Sequence, residues 1–357
     1  MPTIVIQDDH IIRVTTVLFD PSTVEERRAA FADYFSVDMP NFLEWVDGLR
    51  KRFPNVFPSK VIQTFSQEEF RANLKDADAV VIEGFKVGPE ELAVAPKLKI
   101  VQVFGSDTRV ADAEACARRG VVIKPLHRRV NRQVAEQAFA MMMALAKRMA
   151  ETNKLLSMEA LHAHGFPARI YNRKHTANSN WARIPNVKAM TGSTLGIVGL
   201  GSVGREIAGW ARAFDMKILY TQRNRHAPEL EAKYAARYVP LDELMASSDF
   251  ITINAPLNDS TRGLIGRAQL AKVKQGAILV DVARAEIVDH DALVEALESG
   301  RLGGLGMDVH YEEPTPDSEK LLKFPNAILS PHIAIGSRWH GAYDLEDLVQ
   351  NISTALK

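Results

Sequence analysis

The sequence predicts an α/β protein of two domains with parallel sheets. Short β-rich runs alternate with helical patterns, as in βαβ units. Most of these runs carry apolar residues consecutively rather than in alternation, which suits strands covered on both faces. The length, 357 residues, divides into two domains at roughly 150 residues each.

Ten strands are expected. Four lie early, at Thr3–Gln7, Ala79–Ile82, Ile100–Phe104 and Val121–Lys124. Six lie later, at Thr194–Val198, Lys217–Tyr220, Phe250–Asn254, Ala277–Val280, Gly304–Met307 and Ala327–Ser330. Helices are expected at Val134–Glu151, Ser202–Phe214 and Asp289–Ser299, the last ending at Gly300. Val134–Glu151 is rich in Ala and Met and too apolar for an exposed helix, so it belongs between packed layers or at a subunit contact. Residues 162–185 are polar, hold two prolines and keep no period. A connection of this length is unusual inside a compact domain. No internal repeat is present.

Composition narrows the function. Lys+Arg and Asp+Glu both number 44, and a balanced charge argues against a general nucleic-acid binder. Cys116 is the single cysteine, so there is no intrachain disulfide and a reducing compartment fits. The apolar run Ala138–Ala146 is far shorter than the roughly 20 residues that span a bilayer, and the N-terminus lacks a signal-peptide pattern. A cytoplasmic protein is the expectation. His162 and His164 form an HxH pair near His175, but no Cys or closely spaced carboxylate joins them, so no metal site is expected.

The most informative local feature is Thr194–Gly204, which reads strand, Gly199-x-Gly201-x-x-Gly204, then helix. The first Gly permits a tight turn, the second a close approach of phosphate, and the third contact between helix and strand. The helix N-terminus, from Ser202 and Val203, offers N–H groups and a positive dipole end to a pyrophosphate. A dinucleotide site usually has Asp or Glu about 20 residues on, for the ribose hydroxyls. Here Gln222 stands there, followed by Arg223 and Arg225. Arg pairs well with a phosphate dianion. NADP is therefore favoured over NAD.

Three charged residues follow three late strands: Arg284 after AILVDVA, Glu313 in GMDVHYEEP and His332 in AILSPHI. In an open α/β sheet ligands bind beyond the carboxyl ends of strands, so residues distant in sequence can converge there. Glu312 and Glu313 are equivalent on sequence alone. The ordered set VAEQ (134–137), GLGSVG, SSDFITINAPLNDSTRGLIG (247–266), GAILVDVARAEIVD (276–289), GRLGGLGMDVHYEEP (300–314) and LSPHIAIGS (329–337) resembles the D-2-hydroxyacid dehydrogenase family, from about Leu98 to Gly336. Residues 1 to about 95 match only in general pattern.

The resemblance implies a flavodoxin-like substrate domain, residues 1–127 completed by 337–357, and a Rossmann nucleotide domain, 128–336, with a cleft between them. It implies that Arg284 binds the substrate carboxylate and polarises the 2-oxo group, that His332 is the general acid or base, and that Glu313 holds the imidazole. Pro256, Thr261, Ala283 and Asp308 would line the cofactor, with Asp308 facing the nicotinamide. Gly105 and Ser106 would hold the substrate carboxylate through backbone N–H groups. A homodimer is implied, with helix 134–151 at the contact and Trp181 as an anchor from the 162–185 segment. The expected reaction interconverts a 2-oxoacid and a D-2-hydroxyacid, glyoxylate and hydroxypyruvate being the plainest substrates.

The sequence also departs from the family pattern. Asp107 and Arg109 replace the usual residues after Gly105-Ser106, Gln137 replaces His, Ala285 replaces Gly, and Asp281 stands where Asn or a small polar residue is common. Arg109 is either a second anion contact or a solvated charge, and Glu83-Gly84-Phe85 is a candidate pocket rim. Two rival functions remain at this point: dehydrogenation of another small anion, of formate or phosphite type, and a non-catalytic dinucleotide-sensing role. Retention of the Glu313–His332 pair favours the hydroxyacid chemistry.

Overall fold

A computed structural model describes all 357 residues. The chain forms two units: Met1–Asn131 with Gly336–Lys357, and Arg132–Ile335. The first division lies four residues beyond the expected 127/128. The helix Arg129–Ala146 begins before it, and its opening turn is held from within the first unit: the buried Asp344 accepts the backbone N–H of Arg129 at 2.9 Å.

The first unit carries five parallel strands, β1 Thr3–Gln7, β2 Lys60–Thr64, β3 Ala79–Ile82, β4 Ile100–Val103 and β5 Val122–Pro125, in the order β2-β1-β3-β4-β5. This is the flavodoxin-like order. β3 and β4 are buried along their whole length, as their apolar runs require. One face of the sheet packs Ile4, Ile6, Val81 and Ile100 against Leu345, Leu348 and Ile352 of the terminal helix Arg338–Ala355. The other face buries Phe70, Leu74, Leu92 and Cys116.

The second unit carries seven parallel strands: β6 Thr194–Val198, β7 Lys217–Thr221, β8 Ala236–Tyr238, β9 Phe250–Ile253, β10 Ala277–Asp281, β11 Leu302–Met307 and β12 Ala327–Leu329. Their order is β12-β11-β10-β9-β6-β7-β8, all pairs parallel. The order reverses between β6 and β9, which is the switch point where doubly wound sheets take ligands. Ala138, Met141 and Met142 of the helix Arg129–Ala146 pack with Ile207 and Ala211 on one face, and Leu293 and Leu297 of the helix His290–Glu298 lie on the other.

One expectation differs from this structure, and two others gain detail. Helix 134–151 is not continuous: it starts at Arg129 and ends at Ala146, and a second short helix, Met149–Thr152, follows Arg148 in the left-handed region (φ 52°). The 162–185 segment is irregular but has its own small core. Leu161, Phe166 and Ala168 pack with Trp181 and Ile184, so Trp181 is half-buried within its own chain. The HxH histidines turn to backbone carbonyls, His162 to Ala168 at 2.9 Å and His164 to Ala160 at 2.8 Å. No helix is long and apolar enough to cross a membrane.

Candidate active site

The glycine turn follows β6. Gly199 has φ 95°, and an added Cβ there would stand 2.9 Å from the backbone nitrogen of Ala255. At Gly204 a Cβ would stand 2.3 Å from the carbonyl oxygen of Gly199, a backbone atom that cannot yield cheaply. At Gly201, which caps the helix Ser202–Ala213, a Cβ would meet nothing within 4 Å. Two glycines are thus required by the fold, while the third opens outward at a helix N-terminus. This cradle fits the pyrophosphate of a dinucleotide.

The segment after β7 braces this turn. The side-chain oxygen of Gln222 accepts the N–H of Leu200 at 3.2 Å, and the His226 ring bonds the Leu200 carbonyl at 3.0 Å. Arg225 departs from expectation: its guanidinium closes on Glu231 with bonds of 2.9 and 2.8 Å. Arg225 and the Tyr220 hydroxyl together hold the Glu231 carboxyl down at about 2. Burial and the Glu231 acceptor push the Tyr220 phenol up to about 12. Arg223 is exposed and donates to Ser260 Oγ at 2.6 Å. Pro256 and Thr261 lie on the loop after β9, where Thr261 Oγ1 donates to the Pro256 carbonyl at 2.7 Å.

The catalytic candidates lie beyond the carboxyl ends of β10, β11 and β12. Arg284 is exposed, with Nη1 donating to the Ala283 carbonyl at 2.6 Å. The Ala283 N–H donates in turn to Asp281 Oδ1 at 2.8 Å. His332 Nδ1 lies 2.8 Å from Glu313 Oε2, and the two side chains are 43% and 39% exposed. The pair is thus formed within one unit, half open to solvent. Burial acts to raise the Glu313 carboxyl, but the bonds from His332 and from the His310 backbone N–H outweigh it and hold it below the usual carboxylate range. Between Glu312 and Glu313, the geometry selects Glu313.

His332 has φ 53°, a left-handed conformation that costs a non-glycine residue roughly 1–2 kcal/mol. Its surroundings enforce that conformation. Asp308, fully buried, accepts Ser330 Oγ at 2.5 Å, Ile333 N–H at 3.0 Å and Ala334 N–H at 2.7 Å. Asp308, expected to face the nicotinamide, fastens through these bonds the loop that carries His332. The Ser330 carbonyl accepts both the His332 N–H and the His310 ring, each at 2.9 Å. Gln137, the residue that replaces His in the family pattern, donates to Ser330 Oγ at 3.0 Å. Ser330 and His310 were not singled out from sequence, because their partners are distant in the chain and polar loop residues carry no periodic signal.

Gly105 and Ser106 lie in the first unit, just beyond β4, and the Gly105 carbonyl accepts the Leu126 N–H at 2.9 Å. Arg109 there is paired with Asp107 through bonds of 2.7 and 2.5 Å. Gln7 Oε1 accepts the three N–H groups of Glu83, Gly84 and Phe85, fixing the candidate rim beyond β3.

Comparisons with known proteins place the chain in a family. Residues 44–226 match the family model described as "D-isomer specific 2-hydroxyacid dehydrogenase, catalytic domain", and residues 139–334 match its "NAD binding domain". Among curated relatives, glyoxylate/hydroxypyruvate reductase B of Pectobacterium carotovorum is 34% identical over 87% of this chain and 92% of that protein. Glyoxylate reductase of Korarchaeum cryptofilum is 32% identical over 78% and 80%. Among solved structures, a glyoxylate reductase from Paecilomyes thermophila is 26% identical with a TM-score of 0.57, covering 100% of this chain and 96% of that one. A Granulicella formate dehydrogenase is 28% identical with a TM-score of 0.52, covering 85% and 78%. The chain therefore belongs to the D-isomer specific 2-hydroxyacid dehydrogenase family, oxidoreductases that interconvert 2-oxoacids and 2-hydroxyacids with a nicotinamide dinucleotide.

Proposed function

We propose that the protein reduces a small 2-oxoacid, of glyoxylate or hydroxypyruvate type, to the D-2-hydroxyacid with NADPH preferred over NADH. The observation that carries this reading is the Glu313–His332 pair at 2.8 Å, at the carboxyl end of the same sheet that carries Arg284 beyond β10. A reduced nicotinamide, when bound, supplies the hydride to substrate C2. Arg284 takes the substrate carboxylate and polarises the 2-oxo group, for which its planar fork of donors is suited. Glu313 accepts Nδ1–H of His332 and steadies the positive charge of the imidazolium. That leaves Nε2 to deliver one proton to the substrate oxygen, so hydride and proton together complete the hydroxyacid. In the reverse direction Nε2 takes the proton back.

Gln222 supports the cofactor preference, since an amide rather than a carboxylate stands at the ribose position. Arg223 with Ser260 is the proposed partner of a 2′-phosphate, Arg225 being engaged by Glu231. Gly105 and Ser106 keep the anion-binding role their turn suggests. A homodimer is supported by exposed Met143, Met149, Leu156 and Ile170 along and after the helix Arg129–Ala146. Sedimentation at micromolar concentration tests it, and a monomer refutes it.

The test of function is Arg284→Ala assayed with a panel of 2-oxoacids. Loss of at least about a hundredfold in kcat/KM for every acid is expected, the scale set by removing one charge-stabilising donor. Near-normal turnover refutes the assignment.

A further inference from the structure

Asp281 is the one charged residue placed inside the sheet at the site, and the mechanism above does not use it. It ends β10, which lies between β9 and β11, and it is completely buried. Oδ1 accepts the Ala283 N–H at 2.8 Å, while Oδ2 is buried with no hydrogen-bond partner. The residue whose N–H Asp281 holds is also the one whose carbonyl takes Arg284 Nη1. One side chain thus anchors, through a single residue, the guanidinium assigned to the substrate carboxylate.

Asn at this position would offer the same acceptor with no charge. Asp adds a proton that can come and go. The surrounding charged and titratable groups are few. Arg284 and Glu286 stand on its own loop, and Asp308 and Tyr311 lie on the segment after β11. β9 contributes only Thr252 and the neutral Asn254 beyond its end. Asp308 is engaged by the His332 loop, and the Tyr311 hydroxyl donates to the Val288 carbonyl. Arg284 is therefore the only cation of that set.

We propose that Asp281 is a positioning residue for Arg284 whose ionisation sets how strongly the guanidinium binds an incoming carboxylate. The proposal rests on the reading of Arg284 as the carboxylate-binding residue. When Asp281 is protonated, the positive charge of Arg284 is left to the substrate. When Asp281 is ionised, a second carboxylate acts electrostatically on the same guanidinium and competes with the substrate for it. Burial pushes the Asp281 carboxyl up to about 7, against the opposing pull of the Ala283 and Arg284 N–H groups and the Arg284 charge, so both forms are populated near neutrality. The sign follows: substrate binding weakens as pH rises through neutrality.

The test is the KM for glyoxylate in wild type and Asp281→Asn between pH 6 and pH 8.5. The ratio of the two KM values cancels every pH effect that both proteins share. It is expected to rise roughly tenfold over that range, the equivalent of one pKa unit of coupling, while the ratio of kcat values stays flat. A KM ratio that does not change with pH overturns the proposal. Infrared difference spectra of the wild-type protein alone give a second readout, which needs no variant to fold. A protonated-carboxyl band that disappears across the same range supports the ionisation, and no such band at any pH overturns it. Absence of turnover with every 2-oxoacid fails the reading of the site and the proposal with it. A flat ratio in an active enzyme fails the proposal alone.

Discussion

The glycine turn separates what the fold requires from what a cofactor requires. At Gly204 an added methyl would sit 2.3 Å from the Gly199 carbonyl oxygen, far inside van der Waals contact. The obstacle is backbone, so either the helix Ser202–Ala213 or the turn must move. Overpacking of this kind costs about 1–3 kcal/mol. Gly204→Ala is therefore expected to lower the urea midpoint of the protein without cofactor. At Gly201 the same methyl meets nothing, and the backbone (φ −78°, ψ −154°) is open to any residue. Gly201→Ala is expected to cost about 1 kcal/mol or less in stability, the scale of a weakened helix cap. The methyl instead occupies the space through which a pyrophosphate reaches the helix N-terminus. Loss of one close approach there is expected to weaken cofactor binding about 10- to 100-fold, or about 1.4–2.8 kcal/mol. Nicotinamide fluorescence titration measures the affinity and urea unfolding the stability. Wild-type affinity in Gly201→Ala would refute the placement of the pyrophosphate over this turn.

Three further outcomes follow from the same geometry. Asp308→Asn removes acceptors from the loop that carries His332, so it is expected to cost about 1–3 kcal/mol of stability and to lower kcat more than cofactor affinity; equal losses in both would contradict a positioning role. Glu313 titrates below its ordinary value when folded, so its contribution to stability is complete above the unfolded value near 4.5 and is lost as pH falls through the lower folded value. The stability gap between wild type and Glu313→Gln should therefore narrow on acidification in that window, and a gap constant from pH 6 to pH 3 would show that the His332 contact contributes nothing. Arg223→Ala is expected to raise the KM for NADPH about tenfold or more, the scale of a lost charge-assisted bond, and to leave that for NADH nearly unchanged; equal effects on both would remove Arg223 from the phosphate site.

Much of this fold was legible because central strands must be apolar on both faces. Thr3–Gln7, Ala79–Ile82 and Thr194–Val198 were expected at the bounds they have. The two strands that escaped, β2 and β8, lie at sheet edges and are only partly buried, so neither has a continuous apolar run. The start of the helix at Arg129 was invisible for another reason: its cap is Asp344, 215 residues away. Arg284, Glu313 and His332 were legible because each follows a strand within a recognisable segment. The bracing around them was not. Gln137 meets Ser330 across 193 residues, and Asp308 reaches Ala334 across 26, contacts that only the folded sheet creates. Arg225 shows the converse limit, since Glu231 six residues on takes up the charge that sequence assigned to a phosphate.

The most direct test of the central claim is absorbance at 340 nm with a panel of 2-oxoacids, run separately with NADPH and NADH. Oxidation of the cofactor by glyoxylate or hydroxypyruvate, faster with NADPH, is the expected result. No oxidation with any 2-oxoacid, in a protein shown by fluorescence to bind the cofactor, would contradict the account.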